Sequence, residues 1–220
     1  MTSSACILYF LRAPRLGRVK TRLARDLGDE AALALYKAFV EDMLDSLAGC
    51  GADVALWVSP GGDVGMVRHW LGGDRFYLPQ PEGDLGHKME HAFGWAFAQG
   101  YVSAAALGSD VPGLTPKLAR SLTRLMRSEP ALVGPSPDGG YWTIGFQSAS
   151  YLPQVFEGMP WSTSELFGLT MDVLAPLQPA LLPELMDMDT VEDLRRLAAG
   201  CPEGVAKRTL AIARGLGLGS

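Results

Sequence analysis

The sequence predicts an α/β fold: a single-domain, three-layer αβα sandwich in which helices cover both faces of a mostly parallel, Rossmann-like sheet. Short apolar runs alternate with segments of helical periodicity, and glycine-rich or polar clusters follow the apolar runs. Hydrophobic residues make up 48% of the 220 residues and charged residues 20%, a composition typical of a chain with a full core. Because no repeat or low-complexity linker divides the sequence, we expect one domain over residues 1–220.

The first half of the chain predicts three strands, each followed by a helix. Residues 5–11 form a continuous apolar run, as a buried parallel strand should. After a basic loop, apolar residues recur at helical spacing over Asp29–Leu47, and Gly49 and Gly51 end this helix. The later elements are strand 54–58, a turn at 59–62, a helix near Val64–Leu71, a weaker strand 76–78 and a helix over about Leu85–Ala98.

The second half predicts further strands at 104–107, 131–133 and 142–146, and the segment 181–186 leads into an acidic loop. Thr115 followed by Pro116 is a typical helix start, a hydroxyl cap and then proline at the first helical position. Residues 162–165 match a capping box, which predicts another helix start at this point. A final pair of helices follows Thr190.

Polar and glycine-rich loops follow the predicted strands. In open α/β sheets the ligand lies beyond the carboxyl ends of the strands, at the point where the strand order reverses. We therefore expect these loops to converge on one site. They are the loop after Leu11 and the segments 80–86, 108–110, 138–140 and 187–189.

The charge distribution indicates a small anionic ligand. The net charge of −5 argues against a protein that coats nucleic acid, which needs a basic surface. Residues 1–25 nevertheless contain no acidic residue, and Lys20 and Arg22 could hold phosphate oxygens there, helped by amides at a helix start. Six cations without a counter-charge favour a binding loop over a solvated turn, although neither GxxxxGK[ST] nor GxGxxG is present. The six are Arg12, Arg15, Arg18, Lys20, Arg22 and Arg25.

Carboxylates follow two of the predicted strands. Asp110 comes after one strand, and Asp187 and Asp189 after another, so the two loops could share one Mg²⁺. The alternative for each aspartate is a helix cap, and the alternative for the glycine-rich segment 134–142 is an ordinary β-turn. The residues His87 to His91 formally match HxxEH, but only one other histidine exists and their helix position favours a surface role over zinc hydrolysis.

Cysteine usage and the N-terminus indicate a cytoplasmic protein. The three cysteines are far apart and form no CxxC pair, which supports neither a disulfide framework nor a zinc ribbon. The apolar run at 5–11 is too short to span a membrane and lacks the preceding basic residues of a signal peptide.

Six co-linear motifs between residues 8 and 194 carry a family resemblance. They are Gly17-x-Val-Lys-Thr-Arg-Leu23, Gln80 with Gly83-Asp-Leu-Gly86, Gly108-Ser-Asp-x-Pro112, Pro135-x-x-Asp-Gly-Gly-Tyr-Trp142, Trp161-Ser-Thr163 and Asp187-x-Asp-Thr190. Together they resemble a bacterial family of the nucleotide-diphospho-sugar transferase superfamily, whose fold is called glycosyltransferase-A-like.

The resemblance implies roles for individual residues. The expected catalytic residues are Lys20, Arg22 and Asp110, and the expected ligands of Mg²⁺ or Mn²⁺ are Asp110 and Asp189. Nucleotide binding is expected at Leu11, Arg12, Lys20, Thr21, Arg22, Gln80, Asp84, Gly86 and Ser109. Acceptor binding is expected at Asp138, Gly139, Gly140, Tyr141 and Trp161.

The resemblance also implies a transferase that binds a nucleoside triphosphate or a nucleotide sugar, together with a small-molecule acceptor. Lys20 and Arg22 favour nucleotidyl transfer, because a triphosphate adds negative charge for them to meet. The residue before Asp110 is Ser109 and the first aspartate of Asp-x-Asp is absent, which weakens a glycosyltransferase assignment. Two alternatives stay open: glycosyl transfer from a nucleotide sugar, and a nucleotide-binding regulatory protein without catalysis. His87-Lys88 also replaces the Glu-Arg that family members often have.

Overall fold

The computed structural model describes residues 4–73 and 75–218. Its strands are β1 (Ala5–Arg12), β2 (Asp53–Ser59), β3 (Phe76–Pro79), β4 (Ser103–Gly108), β5 (Ala131–Pro135), β6 (Tyr141–Gln147) and β7 (Ala180–Leu181). Its α-helices are α1 (Thr21–Leu27), α2 (Asp29–Leu47), α3 (Val64–Leu71), α4 (Leu85–Ala98), α5 (Pro116–Ser128), α6 (Leu166–Leu174), α7 (Val191–Gly200) and α8 (Lys207–Gly215). No helix in the described part of the chain combines the length and the apolar character that crossing a membrane requires.

The strands form one mixed sheet in the order β3-β2-β1-β4-β6-β5-β7. β1 pairs in parallel with β2 on one side and with β4 on the other, whereas β6 runs antiparallel to both β4 and β5. The chain therefore builds outward from β1 through β2 to β3, then crosses to the other side of β1. This reversal creates a switch point between the carboxyl ends of β1 and β4, where Phe10 lies opposite Gly108.

Side chains of β1 alternate between two buried layers, as the pleat of a strand requires. Ile7 and Tyr9 pack with α2, α3 and α5, while Cys6 and Leu8 pack with α4 and α6 on the opposite face. A third apolar cluster joins α1 and α2 to α7 and α8 beside the main sandwich. The predicted α/β class with a mostly parallel sheet is confirmed.

The structure corrects two local predictions. The capping box at residues 162–165 is wrong: α6 begins at Leu166, Ser162 has a left-handed backbone with φ +65°, and the Thr163 hydroxyl donates to the carbonyl of Pro160 instead. The basic loop also contains a seven-residue helix, α1, that the periodicity did not predict. This helix is too short to show a periodic apolar face and buries only Leu23.

Candidate functional site

A cleft of about 700 Å³ opens at the carboxyl ends of β1 and β4, where the strand order reverses. A cavity of this size could take a nucleotide-sized ligand. Ten predicted site residues line it: Leu11, Arg12, Lys20, Thr21, Arg22, Gln80, Ser109, Asp110, Trp161 and Asp189. Nine further residues also line it: Phe10, Arg18, Val19, Tyr36, Ser59, Leu85, Lys88, Gly108 and Ser162.

Two carboxylates meet one ammonium group at the centre of this cleft. Lys20 Nζ lies 3.1 Å from Asp110 Oδ2 and 2.9 Å from Asp189 Oδ1, and the Lys20 side chain is only 6% exposed. Burial by itself lowers the pKa of Lys20, but the charges of Asp110 and Asp189 outweigh it and raise the pKa above its ordinary value. Lys20 is therefore held in its charged form.

A backbone hydrogen bond brings the second carboxylate to the first. After β7 the chain returns across the ends of the strands, and the Met188 amide donates to the Asp110 carbonyl at 2.9 Å. Asp187 and Asp189 were predicted to follow a strand end directly, but β7 ends at Leu181, so this return segment places them instead. A capping box between Thr190 and Asp193 starts α7 immediately afterwards and fixes the segment at its far end.

Asp187 lies near Asp110 and Asp189, and their charges contribute to a shift in its pKa. Burial, followed by the charges of Asp110 and Asp138, raises the pKa of Asp187 to about 7, while Lys20 opposes the shift. Asp187 does not line the cleft.

Three cations of the basic loop have counter-charges, contrary to the prediction. Arg15 Nε donates to Asp63 Oδ2 at 2.6 Å and its second nitrogen to Oδ1 at 2.5 Å, in the two-pronged geometry of an arginine–carboxylate pair. Lys20 is paired as described above, and Arg22 lies 3.6 Å from Asp189 Oδ2. Partners such as Asp63 are distant in sequence, so local composition alone could not identify them.

Backbone contacts hold the start of this loop in place. The Tyr36 hydroxyl accepts from the Arg12 amide at 2.7 Å and donates to the Arg12 carbonyl at 2.8 Å. The Ala13 amide donates to the Ser59 carbonyl at 2.8 Å, which joins the loop to the end of β2. The side chain of Arg12 remains exposed at the cleft, as does that of Arg18.

The cleft has an excess of positive charge. Five cationic side chains line it (Arg12, Arg18, Lys20, Arg22 and Lys88), against the carboxylates of Asp110 and Asp189. The excess of three positive charges lies on a chain whose net charge is −5. Such a local reversal of sign concentrates anions at the cleft.

The predicted segment at the start of α4 contributes mainly through packing. Asp84 caps this helix by accepting from the His87 amide at 2.8 Å and does not line the cleft. A Cβ at Gly86 would lie 2.5 Å from the Phe156 carbonyl oxygen and 2.9 Å from the Trp161 ring, so glycine permits the contact between α4 and Trp161. Gln80 lines the cleft, and its amide nitrogen donates to the Trp57 carbonyl at 2.8 Å.

Four of the five residues expected to bind an acceptor, Asp138 to Tyr141, do not line the cleft. Gly139 has φ +86°, and a Cβ there would lie 2.3 Å from the Ser164 carbonyl oxygen. The Gly140 amide donates to Asp138 Oδ1 at 2.9 Å, as in an Asx turn. The loop is a tight turn packed against the segment before α6, which favours the alternative β-turn interpretation for these residues.

Sequence reasoning missed several lining residues. In the sequence Lys88 stands out only as a departure from the family motif, yet its partly buried side chain lines the cleft from α4. Arg18 belongs to the predicted basic loop but was assigned no role. Tyr36 could not have been found, since a buried tyrosine on the apolar face of α2 has the pattern of a core residue.

Comparison with known proteins identifies relatives of this architecture. A protein from Desulfovibrio desulfuricans, provisionally named as a nucleotide-diphospho-sugar transferase, is 35% identical, with a TM-score of 0.93 over 99% of this chain and 97% of that one. A cytidylyltransferase from Leptospira borgpetersenii shares the fold at 13% identity, with a TM-score of 0.56 over 98% and 95% of the two chains. CMP:2-keto-3-deoxy-manno-octonic acid synthetase complexed with CTP also shares the fold, at 12% identity, with a TM-score of 0.53 over 89% of this chain and 97% of that one.

The Desulfovibrio protein is provisionally named as a nucleotide-diphospho-sugar transferase, which agrees with the predicted superfamily, and the other two structures share the fold of this chain. A search of curated proteins finds no match. A family model described as "uncharacterized protein conserved in bacteria (DUF2064)" matches residues 43–163, more than half of the 220 residues. The chain therefore belongs to this bacterial family.

Proposed function

We propose that the chain is a metal-dependent nucleotidyltransferase, acting as one domain, that binds a nucleoside triphosphate in the β1–β4 cleft and transfers its nucleotidyl group to a small acceptor. The observation that carries the proposal is the excess of cations over carboxylates at the switch point of the sheet. A triphosphate is the common nucleotide form with the most negative charge, so it matches this cleft best. The fold shared with a synthetase bound to CTP supports the same assignment.

The exposed arginines are the proposed phosphate-binding groups. Arg22 is 71% exposed, and Arg12 and Arg18 are also exposed at the rim, so these side chains can reach a ligand without unfolding any element. Arginine can donate two parallel hydrogen bonds to phosphate oxygens. Lys88 lines the cleft from α4, the other wall, and no ion pair within the described residues neutralises it.

The carboxylate pair fits a Mg²⁺ or Mn²⁺ ion. Asp110 and Asp189 offer oxygen ligands, their side chains are 41% and 45% exposed, and they already share one cation, Lys20. No group of three or more His, Cys, Asp or Glu side chains suited to a metal occurs among the described residues. Two carboxylates completed by substrate phosphates are a common arrangement for Mg²⁺. When bound, such an ion would offset negative charge on phosphate oxygens.

The proposed reaction is an in-line displacement at the α-phosphorus. An oxygen of the acceptor attacks this atom, the bond to the bridging oxygen breaks, and pyrophosphate leaves with the electron pair. The arginines stabilise the charge that develops on the leaving group. The cleft, and in particular Trp161 and Ser162 on its wall, is the proposed location of the acceptor.

Glycosyl transfer is the second candidate, favoured by one observation. The relative at 35% identity is provisionally named as a nucleotide-diphospho-sugar transferase. In that reaction the acceptor attacks the anomeric carbon and a nucleoside diphosphate leaves. The same cations would stabilise that leaving group.

Isotope exchange separates the two reactions before the acceptor is known. With a nucleotide-linked sugar or metabolite and Mg²⁺, a nucleotidyltransferase incorporates labelled pyrophosphate into a nucleoside triphosphate. Asp110→Asn, which keeps the shape of the side chain but removes its charge, should lose this exchange. Slow Mg²⁺-dependent release of nucleoside diphosphate without any exchange would instead support glycosyl transfer. Tight nucleotide binding with neither activity would support the regulatory alternative.

A further inference from the structure

The ammonium group of Lys20 occupies the position of a cation between the two carboxylates. It lies 3.1 Å from Asp110 Oδ2 and 2.9 Å from Asp189 Oδ1, and 5.9 Å from the centre of the Phe39 ring. Its side chain is far more buried than those of the carboxylates that it joins. Lys20 therefore neutralises the pair from the protein side, while the aspartates face the cleft.

The fold holds Lys20 in this position against the preference of its backbone. Lys20 has φ 47° and ψ 48°, a left-handed conformation that is unfavourable for any residue with a Cβ. Buried Val19 and Leu23 flank it, and its carbonyl accepts from the Ala24 amide in the first turn of α1. The placement of the ammonium is thus a property of the folded loop.

We propose that Lys20 is the resident counter-ion of the Asp110–Asp189 pair, with which a divalent metal must compete, so that the cleft takes the metal together with nucleotide phosphates. This inference rests on the proposed function. A free metal that displaced Lys20 would leave a buried ammonium without a partner, which is strongly unfavourable. Nucleotide phosphates would supply Lys20 with a new counter-charge, so nucleotide and metal should each raise the affinity for the other.

This role separates Lys20 from the arginines. The side chain of Arg22 is mostly exposed and lies 3.6 Å from the other oxygen of Asp189, so it can turn to a ligand freely. The ammonium group of Lys20 can turn to a ligand only after it leaves Asp110 and Asp189. Lys20 is accordingly a positioning residue for the carboxylates in the free protein, and its removal should change metal binding even without nucleotide.

Binding of Mn²⁺ in the absence of nucleotide tests the inference. We expect Lys20→Met to bind Mn²⁺ at least about ten-fold more tightly than the wild type, because one positive charge within a few ångströms is removed. Lys88→Met is the matched control: it makes the same change on the same cleft, at a lysine for which the described residues contain no carboxylate partner within ion-pair distance. Its Mn²⁺ affinity should change much less.

Thermal unfolding provides a second readout. In EDTA, Lys20→Met should unfold at a lower temperature than the wild type, since the carboxylates of Asp110 and Asp189 repel each other. Mn²⁺ should raise the melting temperature of Lys20→Met by more than it raises that of the wild type. If Lys20→Met does not fold, Lys20→Gln is measured in its place. Equal or weaker Mn²⁺ binding by a folded Lys20 variant would overturn the inference, even if nucleotide binding were normal. Tighter Mn²⁺ binding in a protein that binds no nucleotide would support the counter-ion and reject the proposed function.

Discussion

Arg22 combines exposure with a position on the cleft wall, where its guanidinium group lies 3.6 Å from one oxygen of Asp189. Other cations of the same loop lie in different environments. Arg15 is held by Asp63 outside the cleft, and Lys20 is buried between two carboxylates. At the scale of single residues, the basic loop thus divides into exposed arginines that line the cleft and cations held by carboxylates.

Arg22→Gln should raise the Kd for a nucleoside triphosphate by about ten-fold or more, because a charge-assisted contact contributes roughly 1.5–3 kcal/mol. The melting temperature should hardly change, since the side chain is mostly exposed. Arg25→Gln on the same helix provides the control, because Arg25 is exposed but does not line the cleft. Calorimetric titration of the three proteins measures the effect, and equal Kd values would show that Arg22 does not contact phosphate.

The ion pair of Arg15 with Asp63 predicts a pH dependence. The hydrogen bond and charge of Arg15 hold the pKa of Asp63 below its ordinary value. A lowered pKa means that the stabilisation is present above the unfolded pKa of about 3.9 and is lost as the pH falls through the folded pKa. The stability difference between the wild type and Asp63→Asn should therefore be constant from pH 5 to 8 and shrink below about pH 4. Urea unfolding at several pH values measures it, and a difference that grows in acid would contradict the pairing.

At the scale of elements, the start of α4 carries a close contact that only glycine allows. Gly86 faces the Phe156 carbonyl and the Trp161 ring, whereas a Cβ at Gly94 of the same helix would have nothing within 4 Å. The two glycines therefore differ in environment while sharing a helix. Their comparison isolates the packing of Trp161 against α4.

Gly86→Ala should lower the free energy of unfolding by roughly 1–3 kcal/mol, because an added methyl must push the Phe156 backbone or Trp161 aside. Gly94→Ala should raise it by roughly 0.5–1 kcal/mol, the difference in helix propensity between alanine and glycine. Denaturant unfolding of both variants provides the comparison. Stabilisation by both substitutions would mean that α4 and Trp161 do not touch as described.

The long elements could be predicted from the sequence because their periodicity is strong. The apolar run of β1 and the apolar stripe of α2 each extend over most of the element that forms, and Thr115 caps α5 as expected. α1 could not be predicted because seven residues provide too little periodicity. The false capping box at 162–165 shows that a short motif cannot determine a helix start without the contacts around it.

Part of the site could be predicted from the positions of the loops along the chain. Loops at the carboxyl ends of β1 and β4 must meet, because those strands are neighbours in parallel. The approach of Asp189 to Lys20 was harder to predict, since it depends on the hydrogen bond between Met188 and Asp110 across the return segment. The partner of Arg15 also depends on a contact between distant parts of the chain.

For the whole molecule, the central feature is a cationic cleft at the switch point of the sheet, in a chain whose net charge is negative. The positive charges of the cleft attract anionic ligands, and dissolved salt screens this attraction. Affinity for phosphate-bearing ligands should therefore increase from nucleoside mono- to triphosphate and fall with added salt.

The most direct test of the proposed nucleotide binding by the cleft is a thermal-unfolding titration with ATP, CTP, GTP, UTP and nucleotide sugars, each with and without Mg²⁺. We expect at least one triphosphate to raise the melting temperature, and more strongly with Mg²⁺, because a ligand at about a hundred times its Kd adds roughly 2.7 kcal/mol of stability. The same ligand should give a smaller shift with Arg22→Gln than with the wild type. No shift with any nucleotide at millimolar concentration, in a protein that unfolds cooperatively, would contradict nucleotide binding in this cleft.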